Sequence, residues 1–146
     1  TEVDLVGISM GGLVARALAS EAFGSPPLNA TRVFTLASPH GGAKLADKIA
    51  LDPAAMAMRE GSEMLARLDG AWHDRGYDLV PYAVLNDTLV GATRTAPPGM
   101  DPVWTPGTHV LSHFTVSETP GIIGDIARRL RNEPPLAGPA SPVPCD

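Results

Sequence analysis

The sequence predicts an α/β fold with a parallel sheet, and three observations carry that prediction. Short apolar runs such as "VDLV" and "RVFTLA" do not alternate with polar residues, as expected of strands covered on both faces. Between them lie stretches with helical periodicity, and strands alternating with helices imply parallel pairing. In "VDLVGISMGGLVAR" a strand runs straight into a helix through a turn that holds a serine between glycines.

Taken in order, residues 3–6 form the first strand and Gly7 ends it. From Met10 to about Glu21, Leu13 with Ala17 and Val14 with Leu18 recur at helical spacing, until Gly24, Pro26 and Pro27 stop the helix. Residues 32–37 are rich in β-branched and aromatic side chains and predict a second strand, followed by the Pro- and Gly-containing loop "SPHGG" at 38–42. Residues 43–73 read as mainly helical, with Met56, Met58, Met64, Leu65 and Leu68 as the apolar positions. The methionines suit either ordinary core packing or an adaptable apolar pocket. "LVPYAVL" at 79–85 predicts a third strand and "THVLS" at 108–112 a fourth. Thr119 then caps a helix with Pro120 in its first turn, and Ile122, Ile126 and Leu130 share a face. The last 15 residues, 132–146, are Pro-rich and predict a disordered tail.

Composition narrows the function classes. The chain has 146 residues, 44% hydrophobic and 18% charged, enough for one domain with a real core. Its formal net charge is −5, and 11 basic residues in no cluster leave no footprint for nucleic acid. No apolar run reaches the roughly 20 residues of a membrane-spanning helix. The one cysteine, Cys145, cannot form a disulfide within the chain. The histidines lack ligand spacing and no loop has the pattern of a phosphate cradle, so neither metal nor cofactor is expected. Nothing in the sequence assigns a compartment.

The turn Gly7-Ile8-Ser9-Met10-Gly11 has the G-x-S-x-G form. A strand that turns directly into a helix forces its apex residue into a strained backbone conformation, and side chains two positions to either side would collide with the two elements. On this reasoning Gly7 and Gly11 are both sterically required, Ser9 is raised at the sheet's C-terminal edge, and the Met10 N–H is placed to stabilise an oxyanion. The alternative is a Gly-rich turn with a solvated or capping serine, and the flanking strand and helix argue against it.

"VGISMGGLVAR" followed by a strand and "ASPHGG" resembles the α/β-hydrolase superfamily, specifically its lipase and esterase branch, including triacylglycerol-lipase-like and GPI-inositol-deacylase-like proteins. The resemblance covers about residues 1–131. It implies that the elbow follows the fifth strand of an eight-stranded sheet, so that this chain is the C-terminal half of the fold and the N-terminal half is missing from it. It also implies a cap or lid region within 43–78, and a second oxyanion donor supplied by that missing half.

The resemblance further implies a nucleophile, acid, histidine order along the chain. Asp87 directly follows the third predicted strand, in a context like the family's acid, with Asp101 in the next loop as reserve. A local Asn-Asp turn is the plain alternative for Asp87. His113 in "VLSHFTV" follows the last predicted strand and matches the superfamily's histidine loop, with His109 as reserve. His40 comes before every plausible acid and reads as structural or as pocket wall, and His73 as solvated. The expected function is hydrolysis of carboxylic esters, with a small-molecule or lipid ester as substrate and transient contact with a lipid surface. Ser9 is the nucleophile, His113 the general base and Asp87 its orienter. Acyl transfer by the same residues, or a catalytically silent binding module on this fold, are the alternatives.

Overall fold

A computed structural model describes residues 1–47, 52–107, 111–139 and 142–144. Val3–Ile8 (β1), Ala30–Leu36 (β2), Asp78–Val84 (β3) and Val103–Thr105 (β4) form a four-stranded sheet in the order β1-β2-β3-β4. Every pairing is parallel, with Leu5 opposite Val33, Leu36 opposite Tyr82 and Tyr82 opposite Val103. Met10–Leu18 (α1) connects β1 to β2. Pro53–Ala57 (α2) and Glu63–Gly70 (α3) lie between β2 and β3, and Ser112–Thr115 (α4) and Pro120–Leu130 (α5) follow β4. No helix among the described residues is long and apolar enough to cross a membrane.

The two faces of the sheet are covered by different elements, which is why its strands read as unbroken apolar runs. Phe34, Leu36, Tyr82, Val84 and Val103 pack with Ile122 and Ile126 of α5. On the opposite face Val33 and Leu79 pack with Ala15 and Ala19 from α1 and the turn after it, and with Trp72 and Tyr77 beyond α3. Leu13 of α1 is fully buried against Leu65 and Leu68 of α3. Met58 and Met64 pack at the margin of that cluster, whereas Met56 is exposed. At the sheet's N-terminal edge, Asp4 and Arg32 are opposite in register and joined by paired bonds of 2.9 Å, a bidentate geometry that fixes the strands laterally.

The first three predicted strands and the helix at 120 appear within one or two residues of expectation. Of the stretch 108–112 expected as the fourth strand, residues 108–110 lie outside the described residues, and the fourth strand the structure describes is a different one. It lies earlier, at Val103–Thr105, where Leu85 N–H also donates to Thr105 O at 3.0 Å, and Ser112 opens a helix. Thr119 occupies the cap position of α5 but makes no side-chain cap bond, and its hydroxyl donates to Thr115 O. After α5, Leu136 and Ala137 make two backbone contacts with that helix. Their N–H groups donate to Asp125 Oδ1 at 2.5 and 3.2 Å, while Asp125 Oδ2 accepts from Tyr82 and Arg129, both at 2.7 Å.

β1 is the sheet's edge among the described residues. Its Val6 and Ile8, with Met10, Val14 and Leu18 one helical turn apart on α1, leave an apolar face exposed. Of the two apolar rows expected on α1, Leu13 is buried and Ala17 half-buried, while Val14 and Leu18 are exposed.

Candidate active site

Ser9 stands between β1 and α1 with φ 53° and ψ −127°, a conformation that costs a non-glycine residue about 1–3 kcal/mol and persists only where its surroundings enforce it. Its N–H donates to Leu36 O at 2.8 Å, which ties the apex to the end of β2. Although it is the N-cap residue of α1, its side chain makes no capping bond. The hydroxyl instead lies 3.0 Å from His113 Nε2.

The glycine requirement differs in one position from expectation. A Cβ on Gly7 would lie 2.5 Å from Gly11 O and Gly12 Cα, so Gly7 is needed to let the helix start against the strand. A Cβ on Gly11 meets nothing within 4 Å, so Gly11 is not the second steric requirement. That requirement falls on Gly12, where a Cβ would overlap Ser38 Oγ and lie 2.6 Å from Ser38 Cβ. The helix face at Gly12 packs on β2 and the loop after it, while Gly11 faces away. Gly12→Ala is therefore expected to destabilise the protein by about 1–3 kcal/mol through overpacking. Gly11→Ala should leave stability unchanged or raise it by about 0.5–1 kcal/mol through helix propensity. Urea melts of the two variants check this, and a larger loss for Gly11→Ala would contradict the packing.

Asp87 comes from the turn after β3, where Asn86 adopts φ 62°. It is almost wholly buried, and its two oxygens divide two tasks. Oδ1 accepts from Leu89 N–H at 2.9 Å and Val90 N–H at 3.0 Å, the local turn anticipated as the plain alternative. Oδ2 lies 2.8 Å from His113 Nδ1. The backbone carbonyls of the same loop accept from Leu45 N–H at 3.0 Å and Lys44 N–H at 3.3 Å, so the acid is held from both sides. His113 sits in α4, and its ring meets Phe114 edge-on at 5.6 Å. An acidic oxygen on Nδ1 places the imidazole proton there, which leaves Nε2 as an acceptor for the Ser9 hydroxyl.

The structure thus brings Ser9, His113 and Asp87 into one hydrogen-bonded line at the C-terminal edge of the sheet. It sets Met10 beside them at the start of α1, where a helix leaves its first N–H groups without internal acceptors. Asp101 is exposed and precedes β4, so it belongs to the opposite edge. His109 and Cys145 lie outside the described residues. His73 is exposed. Such a line can take a proton from a hydroxyl as that hydroxyl attacks an electrophile and return it to a leaving group.

His40 is fully buried away from this line. Its Nδ1 lies 3.1 Å from Arg16 Nη1 and its Nε2 2.9 Å from Thr35 Oγ1. A guanidinium only donates, so Nδ1 accepts and the neutral ring presents its proton to Thr35. Burial, and then the Arg16 cation, hold the His40 pKa well below its ordinary 6.5. The unfolded chain therefore takes up a proton near pH 6.5 that the folded chain refuses. The stability that follows is complete above that pH and is lost as pH falls below it. Thermal melts at pH 7.5 and 5.0 should show this loss, and His40→Gln should reduce it. An unchanged pH dependence in His40→Gln would contradict the assignment.

Arg16, Gly12 and Thr35 were not singled out by sequence reasoning. Arg16 follows Gly12 by one helical turn, a spacing visible in the sequence, but its acceptors come from distant segments. Nη2 donates to Leu68 O at 3.1 Å and to Asp69 Oδ1 at 3.3 Å, and the guanidinium lies 5.3 Å from the Trp72 ring.

No protein-family model matches this chain, and no curated protein matches it as a relative. The functional reading therefore rests on the fold, the backbone strain and the geometry of the site.

Proposed function

We propose that this protein is a serine hydrolase of the α/β-hydrolase type that cleaves carboxylic esters with a hydrophobic acyl part. The observation that carries the reading is the continuous line from Ser9 Oγ to His113 Nε2 and from His113 Nδ1 to Asp87, with separations of 3.0 and 2.8 Å, built on a serine of positive φ that caps nothing.

In the reaction Ser9 Oγ attacks the acyl carbonyl as His113 Nε2 takes its proton. Asp87 Oδ2 holds the imidazole in the tautomer that accepts, and stabilises the imidazolium that forms. The Met10 N–H meets the developing oxyanion. Collapse of the tetrahedral intermediate releases the alcohol, protonated by His113, and leaves an acyl group on Ser9. Water, deprotonated by His113 in its turn, then releases the acid. On this reading the exposed face of β1 and α1 is the side on which the earlier strands of such a fold pack, and a second oxyanion donor comes from them.

Support for an apolar substrate comes from the rim. Met10 follows Ser9 directly, Leu111 and Phe114 lie within two residues of His113, and all three side chains are exposed. They suit an acyl chain or the surface of a lipid aggregate. The test is hydrolysis of p-nitrophenyl esters of rising chain length by the full-length protein. Turnover that rises with acyl length supports the reading, and its absence across the series opposes it. Free acid as the product distinguishes hydrolysis from acyl transfer to an added alcohol.

A further inference from the structure

Three contacts fix the elbow to the end of β2. Ser9 N–H donates to Leu36 O, and Gly12 sits so close to Thr35 and Ser38 that no side chain fits between them. The third contact is polar and wholly buried: Arg16, on the same face of α1 one turn after Gly12, donates to His40, and His40 bonds Thr35. A guanidinium sealed from water loses more hydration than an apolar side chain of similar volume would, so packing alone gives no reason for it. Its Nε has no partner among the described residues, which makes it a poor stabiliser by itself. What directional bonds add is register, since they hold α1 at one position along β2 where apolar contacts allow sliding.

We propose that Arg16, His40 and Thr35 are positioning residues that set the Ser9 elbow at the distance and angle at which His113 can accept its proton. The inference rests on the serine-hydrolase reading above. None of the three touches the reacting atoms. They act through α1, whose first turn carries both Ser9 and the Met10 N–H, so a small slide of the helix moves nucleophile and oxyanion donor together. Misplacement by about 1 Å at a reacting centre costs on the order of a hundredfold in rate.

The experiment measures Ser9 modification by a fluorophosphonate, and kcat and KM on a p-nitrophenyl ester, in the full-length protein and four variants. His40→Leu and Arg16→Met remove the directional bonds. They should slow modification and kcat by about ten- to a hundredfold, with KM within about twofold. His40→Gln offers an acceptor to Arg16 and a donor to Thr35, and should stay within about threefold of wild type. Thr35→Val keeps the shape of the core and removes only the hydroxyl, so it reports even if the other variants fail to fold. It should slow modification by about five- to tenfold, in line with the loss of one hydrogen bond. Folded His40→Leu or Thr35→Val protein that reacts at the wild-type rate would overturn the proposal, as would His40→Gln behaving no better than His40→Leu. A wild-type protein whose Ser9 does not react at all would instead overturn the hydrolase reading, and this inference with it.

Discussion

Ser9→Ala is expected to lower ester hydrolysis by about 10⁴- to 10⁶-fold, the loss seen when the nucleophile is removed from a unit whose members act together. The loss should be almost entirely in kcat. The hydroxyl has no capping bond to surrender, so its removal loses only the 3.0 Å bond to His113 Nε2 and leaves the backbone contacts of the elbow intact. The φ of 53° is held by the Leu36 bond and by the Gly7 packing, neither of which involves the side chain. Melting temperature should therefore change little. Steady-state assays beside thermal melts check both halves of the expectation, and retention of a tenth or more of the activity would remove Ser9 from the mechanism.

The second large effect is Asp87→Asn, expected to cost about 10⁴-fold in kcat with the fold retained. The loop decides which way the new amide points. Oδ1 faces the Leu89 and Val90 N–H groups, so the asparagine must keep its oxygen there and turn its NH₂ toward His113 Nδ1. A donor facing Nδ1 makes that nitrogen the acceptor and moves the ring proton to Nε2, where it points at Ser9 and cannot take a second proton. His113→Ala should be comparably slow in acylation because it removes the base itself. Single-turnover acylation of the Asn variant at wild-type rate would show that the carboxylate does not set the tautomer.

Much of this arrangement was legible because it is local. The elbow is contiguous in sequence, and Ser9 could be placed at a strand end from its neighbours alone. Asp87 and His113 required chain order as well, and both of the roles considered for Asp87, local turn and partner of an imidazole, are present on its separate oxygens.

What was not legible depends on contacts between distant segments. β4 is three residues long in a Pro-rich loop and has no period of its own; it is a strand only because it pairs with Tyr82–Val84. Gly11 and Gly12 are indistinguishable in the sequence, and only the position of Ser38 makes the second one indispensable. Arg16 runs against the rule that charged side chains stay in water, and the acceptors that make its burial tolerable lie on α3 and in the loop after β2. After α5, backbone N–H groups of residues 136 and 137 reach a buried carboxylate, an interaction that composition cannot register.

The most direct test of the central claim is to react the full-length protein with a fluorophosphonate and map the adduct by mass spectrometry. The account predicts one adduct per chain on Ser9, formed rapidly in wild type, at a rate greatly reduced in His113→Ala, and absent in Ser9→Ala. A folded protein that turns over esters while Ser9 stays unmodified, or that carries the adduct on another residue, would contradict it.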